Sequence, residues 1–196
     1  MIYEPSPFDL FQHIRLIVGM VLSLSIARLL NGLGKFVQHP SKIHVYIVHM
    51  GWVFSTLLFL IHFWWWEFRL SHIQQWTFEA YLLIITYAIL FFFLCALLFP
   101  DQMDEYSGYK DYFTSRRGWF FGIFLLTFII DFGDTAVKGT QYFQSLGIEY
   151  PIRNITYIIL CLSAIFVKNE RFQIGFMLAS LIYQVSYIFR LYHTVH

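Results

Sequence analysis

Charge is what this sequence lacks. Only 13% of its residues are Asp, Glu, Lys or Arg, about half the usage of soluble proteins. So few charges cannot cover a water-facing surface, which excludes an ordinary soluble domain. The formal net charge is +1, so no basic field marks the chain as a nucleic-acid binder. Cysteine is equally sparse. The two present, Cys95 and Cys161, both fall inside apolar runs, and no CxxC or Cys/His cluster exists, which argues against a disulfide framework. Catalytic signatures are missing as well: there is no GxSxG, no HExxH and no dinucleotide fingerprint. Asn31-Gly-Leu-Gly-Lys35 lacks the spacing of a phosphate-binding loop. The first residues, Met1 to Asp9, lack the basic start of a cleaved signal peptide, so the first apolar run is expected to stay in the protein.

What is present is apolar and aromatic. Hydrophobic residues make up 58% and aromatic residues 21%, including 23 Phe. A helix needs about 20 apolar residues to cross a bilayer. Six stretches approach this, over about 11–34, 43–68, 77–99, 118–138, 152–168 and 172–193. The expectation is an all-α polytopic transmembrane bundle forming one domain over 1–196 with no soluble part, because a spanning segment must satisfy its own backbone polar groups. Ser41 is an expected N-cap for the second helix, and Pro151 fits the first turn of the fifth. Tyr106, Tyr109, Tyr112 and Phe113 in the long connection 101–117 read as a short interfacial helix.

Lys35, Lys42, Lys110, Arg116, Arg117, Lys168 and Arg171 follow the first, third and fifth stretches. Arg69, Lys138 and Arg153 lie on the opposite side. The bias of basic residues toward the cytoplasm then places both termini outside. Trp64, Trp65, Trp66 and Trp76 read as an outer aromatic belt, with Trp119 at the inner one.

The feature that points toward function is a layer of ionisable residues in the outer half. Asp131, Asp134, His62, Arg15, Arg190 and Glu67 fall there, with Asp131 nearest the centre and His13 further out. Ionisable groups at bilayer depth cost about 2.5–3.5 kcal/mol each near the centre and should face the bundle interior in pairs. Asp131, Asp134 and Lys138 share one helix face at i, i+3 and i+7. Ser180, Tyr183, Tyr187 and Arg190 form a second polar stripe, and Asn154, Tyr157 and Cys161 a third. Three readings stay open. Arg15 and Arg190 neutralise Asp131 and Asp134 and fix helix register. Alternatively, Asp131 and Asp134, with Glu67 and His62, bind protons or cations on a transport path, with Arg15 and Arg190 as counter-charges. In the third reading His62 and His13 ligate a haem, a metal or a pigment. A further class is a non-catalytic sensor or partner subunit. Its interaction face would be Gly19, Ser23 and Ala27, a small-residue stripe that also suits internal packing or a homo-oligomer. Arg28 is expected to reach to the interface, and His49 to serve as an interfacial or helix-contact residue. The lipid bilayer is the one partner that composition itself implies.

Several strings carry a resemblance: ARLLNGLG at 27–34, HMGW at 49–52, HFWWW at 62–66, LLFPD at 97–101, Tyr112-Phe113, RRGWFFG at 116–122 and KNER at 168–171. Together they resemble a group of short, uncharacterised bacterial multi-pass membrane proteins. The resemblance covers most of the chain. It implies a bacterial inner-membrane location and transfers no activity.

Overall fold

The computed structural model describes residues 6–39 and 44–191. Ser41 and Lys42 lie outside the described residues. The elements run α1 Pro7–Gln38, α2 Ile47–Trp66 continued by a 3₁₀ turn Glu67–His72, α3 Phe78–Leu98, α4 Tyr109–Val137, a short α5 Thr140–Ser145, α6 Glu149–Phe166 and α7 Glu170–Leu191. There is no strand among the described residues. The chain is therefore an all-α bundle. Five of its helices are long and apolar enough to cross a membrane, namely α1, α2 with its 3₁₀ turn, α3, α4 and α7. The sixth expected span, α6, is an 18-residue helix whose first two turns carry Glu149, Arg153 and Asn154, which dilutes its apolar character.

Local chemistry sets the helix starts. Ser6 caps α1 in a reciprocal box with Asp9, and Pro7 occupies the first turn, where its missing N–H is no loss. Thr77 accepts from the Ala80 N–H to start α3. Pro151 sits in the first turn of α6, as expected. Gly139 and Gly147 have φ of 99° and 65°, left-handed conformations that favour glycine. They bracket α5 and turn the chain so that α6 returns along α4.

Two expectations are corrected here. The segment around Tyr109 is not an interfacial helix: α4 begins at Tyr109, nine residues before the expected start at 118. Tyr109, Tyr112 and Phe113 are buried, with the Tyr109 ring 4.7 Å from His49 and 4.8 Å from Phe36. Aromatic packing against α1 and α2 extends the helix. Nor is Trp66 part of an outer belt. Trp64 and Trp65 are exposed, whereas Trp66 is half-buried, with the Arg153 guanidinium 5.4 Å from its ring.

In the packing, α3 lies between α1 and α4, α6 lies against α4, and α2 lies against α7. Between helices in lipid there is little hydrophobic drive, so close packing and interhelical hydrogen bonds hold the bundle. Both are visible. Trp52 is fully buried and meets Phe120, Phe121, Phe124 and Phe176 edge-on at 4.9–5.6 Å. Such pairs are worth about 0.5–1.5 kcal/mol each beyond burial. This aromatic plug fills the middle of the bundle. Beside it, Gln184 donates to Ser55 Oγ at 2.7 Å, and Ser180 Oγ lies 3.1 Å from both Ser55 Oγ and Tyr157 OH. The network ties α2, α6 and α7.

One end of the bundle is closed by the C-terminus of α3. A helix leaves its last carbonyls without intrahelical partners. Here Arg28 of α1 donates to Phe99 O at 2.7 Å, His49 of α2 lies 2.6 Å from Leu98 O, and Tyr112 of α4 donates to Leu97 O at 2.8 Å. Arg28 also pairs with Asp101 at 2.6 Å. Arg28 thus binds protein rather than only reaching to the interface, and His49 is a helix-contact residue. Both cysteines are free and buried.

Candidate functional site

The opposite end gathers the starts of α1, α3 and α6 and the ends of α2, α4 and α7. There the structure assembles a buried ion-pair cluster. The inward face of α4 supplies Asp131, Asp134 and, just past its last turn, Lys138. All three share the face their spacing defines, since Asp131 and Asp134 are buried and Lys138 reaches back to Asp134.

Asp131 is held by three donors on its carboxylate. Asn154 Nδ2 lies at 2.6 Å and Arg153 Nη2 at 3.0 Å from Oδ2, and Tyr87 OH at 3.0 Å from Oδ1. Its backbone carbonyl accepts from Tyr150 OH at 2.9 Å, and that hydroxyl accepts from Thr135 at 2.8 Å. Arg153 also donates through Nε to Asn154 Oδ1 at 2.9 Å. Its guanidinium is flanked by the Trp66 and Tyr150 rings at 5.4 and 5.2 Å, which fixes it in a cation–π sandwich.

The second pair is a triad. Lys138 Nζ donates to Glu67 Oε1 at 2.9 Å and to Asp134 Oδ2 at 2.6 Å. The three side chains are 1–9% exposed. Burial disfavours the Lys138 ammonium, but the Glu67 and Asp134 carboxylates outweigh that and hold it above the ordinary lysine range. Tyr142 of α5 lies over this ammonium at 5.8 Å. Burial pushes its phenol up to about 12, against the opposing pull of Lys138. A small cavity of about 10 Å³, lined among others by Asp131, Asp134, Lys138 and Arg153, has room for about one water.

The cluster is unbalanced. Among the described residues, Glu67, Asp131 and Asp134 form ion pairs only with Lys138 and Arg153. Among the described residues, Glu67 Oε2 and Asp134 Oδ1 are buried with no hydrogen-bond partner. These two oxygens are the groups free to hold a proton or a small cation. No group of three or more His, Cys, Asp or Glu side chains is placed to hold a metal ion among the described residues.

The expected counter-charges are corrected. Arg15 does not meet an aspartate; it is exposed, with its guanidinium 5.2 Å from the Phe68 ring. Arg190 pairs with Glu149 through two bonds of 2.9 and 2.5 Å at the rim. The packing explains this: the backbones of α1 and α7 do not lie against α4, so neither arginine is brought to the aspartates. Arg153, counted from sequence as a loop base, is instead the partner of Asp131, because α6 starts at Glu149 and packs its first turns on α4. The signal that locates Arg153 is its place beside Asn154 on the buried stripe Tyr150, Asn154, Tyr157 and Cys161.

The structure does not pair the two histidines. His62 is buried and stacks on Trp66 at 5.6 Å. His13 is exposed and stacks on Tyr81 of α3 at 6.4 Å. Gly19 lies against Trp64, where an added Cβ would come within 2.9 Å of the ring. Ser23 and Ala27 continue along an open groove between α1 and α2.

Fold and site together define a multi-pass α-helical membrane protein with a buried ion-pair cluster at one end. No family model, curated protein or solved structure matches the chain.

Proposed function

We propose that this protein binds and moves protons, or a small monovalent cation, across a membrane, with Glu67, Asp134 and Asp131 as the binding carboxylates. The observation that carries the reading is the excess of one buried carboxylate over the cations, together with the two unpartnered oxygens. A net charge in a low-dielectric site is expensive and is relieved by taking up a proton or a counter-ion. One proton shared by Glu67 and Asp134 makes the cluster neutral. Such a shared proton belongs to the pair rather than to one residue. The aromatic plug around Trp52 fits a transporter caught closed better than an open pore. Lys138 and Arg153, rather than Arg15 and Arg190, are the resident counter-charges.

The location we propose is a bacterial inner membrane, with both termini on the non-cytoplasmic side. In support, Lys35, Lys110, Arg116, Arg117, Lys168 and Arg171 all gather at the α3 C-terminal end, while at the cluster end Lys138 and Arg153 are buried in ion pairs, Arg190 is paired with Glu149, and Arg15 and Arg69 remain exposed.

Purified protein in liposomes carrying a pH-sensitive dye tests the function. Imposed pH and cation gradients should drive flux above protein-free vesicles, and Glu67→Gln, Asp134→Asn and Asp131→Asn should each lower it at least tenfold. Flux equal to that of empty vesicles, or variants equal to wild type, overturns the proposal.

A further inference from the structure

A second space adjoins the cluster. α6 and α7 leave their short connection side by side and then diverge, touching only sparingly. Between them lies a cleft of about 280 Å³. Its walls include Ile152, Leu160, Phe176 and Ala179, with Glu149 and Arg153 one turn apart on α6 at the end nearer the cluster. Ile152 and Ala179 are exposed on the outer face of the bundle, so the cleft opens sideways toward the apolar phase.

Arg153 is what makes this cleft more than a gap between helices. Arg153 lines the cleft, the small cavity of the ion-pair cluster and a third cavity beside Phe63, Tyr87 and Thr127. Its Nε and Nη2 are committed to Asn154 and Asp131, and Nη1 makes no hydrogen bond among the described residues. Glu149 does not repel an anion here, since Arg190 donates two hydrogen bonds to it and Tyr183 a third. The cleft thus offers a planar cation at one end of an apolar slot.

We propose that the α6–α7 cleft binds a medium-chain amphiphilic carboxylate, its head on Arg153 and its tail between α6 and α7, and that the head competes with Asp131 for the guanidinium. Guanidinium and carboxylate match in plane and charge, and the apolar walls match an alkyl tail. Occupancy of the cleft need not involve protons, whereas the competition rests on the cluster being a proton site. When the head takes Arg153, Asp131 keeps the donors of Asn154 and Tyr87 but loses its cation, and one proton taken up with the ligand restores the charge balance of the cluster. The groups that set this uptake are Tyr87 from α3, Asn154 and Tyr150 from α6, and Asp134 and Lys138 along α4. Glu67 from the 3₁₀ turn, Trp66 and His62 from α2, Tyr142 from α5 and Tyr187 from α7 complete the surround. A bound carboxylate and one proton then occupy the protein together.

Equilibrium dialysis of radiolabelled octanoate against the purified protein in non-ionic detergent tests the cleft. A parallel pH-stat measurement in weak buffer tests the coupling. Saturable binding of one octanoate per chain is expected, with octanol binding at least tenfold more weakly. Ala179→Trp, which fills the slot from its exposed side, and Arg153→Lys, which removes the fork, should each weaken binding about tenfold or more; equal melting temperatures confirm that Ala179→Trp is folded. One proton should be taken up per octanoate in wild type and none in Asp131→Asn, while that variant still binds. Octanoate binding no greater than to protein-free micelles, unchanged by Ala179→Trp, or matched by octanol overturns the cleft. Cleft-dependent binding without proton uptake overturns the competition and leaves the cleft standing. Liposome flux without octanoate reads the cluster by itself, so the two readings fail separately.

Discussion

Lys138 is the residue on which the cluster is balanced. Among the described residues it is the one cation bonded to both Glu67 and Asp134. Replacing it with Met leaves two buried carboxylates without a counter-charge, a change that costs about 3–5 kcal/mol when a buried pair is broken. Unfolding in detergent should show that loss at neutral pH, and adding Glu67→Gln and Asp134→Asn to Lys138→Met should recover most of it. The pH dependence has a definite sign. A cation held above its ordinary range contributes fully below that range and loses its contribution only as pH climbs through the raised value. The wild-type advantage over Lys138→Met should therefore not shrink from about pH 8 to 10, the range leading up to the titration of ordinary lysines. A gap that closes in that window would mean the ammonium is not held. Asp101 behaves in the opposite sense. Its exposed carboxyl is held below the ordinary carboxylate range by the hydrogen bond and charge of Arg28. Its contribution is present above that range and is lost as pH falls. Asp101→Asn should therefore lower the melting temperature at neutral pH and leave it unchanged at strongly acidic pH.

At the scale of elements, the glycines of α1 and α4 separate packing from helix propensity. A Cβ on Gly32 would run into the Phe99 ring, which is itself 2% exposed and cannot retreat. Gly32→Ala should destabilise by about 1–3 kcal/mol through overpacking, and should loosen the seat of Arg28 on Phe99 O. At Gly122 nothing lies within 4 Å of an added Cβ, so Gly122→Ala should be neutral or stabilising by up to about 1 kcal/mol. Melting curves of the two variants in one detergent check both. Elements were also where sequence reading ran longest before failing. The apolar runs placed α1, α2, α3 and α7 within a few residues. The start of α4 was hidden because Tyr109, Tyr112 and Phe113 read as an interfacial face when considered alone. Only contact with Phe36 and His49 turns that face inward.

For the whole molecule, the proposal that both termini lie on one side implies an even number of crossings. The start of α1 and the end of α7 share one end of the bundle, as the contacts Arg15–Phe68, Lys138–Glu67 and Arg190–Glu149 require. Reporter fusions at the two termini should report the same compartment; opposite compartments would mean that α6 does not cross. By itself the sequence determined the environment and the helical class, because charge scarcity and runs near the bilayer thickness leave a helix no competitor. It also determined that Asp131, Asp134 and Lys138 share a face, since helix periodicity is local. Tertiary structure alone decided which base meets which acid. Arg153 reaches Asp131 because α6 packs on α4, and Glu67 reaches Lys138 because the 3₁₀ turn carries the end of α2 over the end of α4. Ion pairing depends on a few ångströms between side chains distant in sequence, and no periodicity along one helix carries that distance.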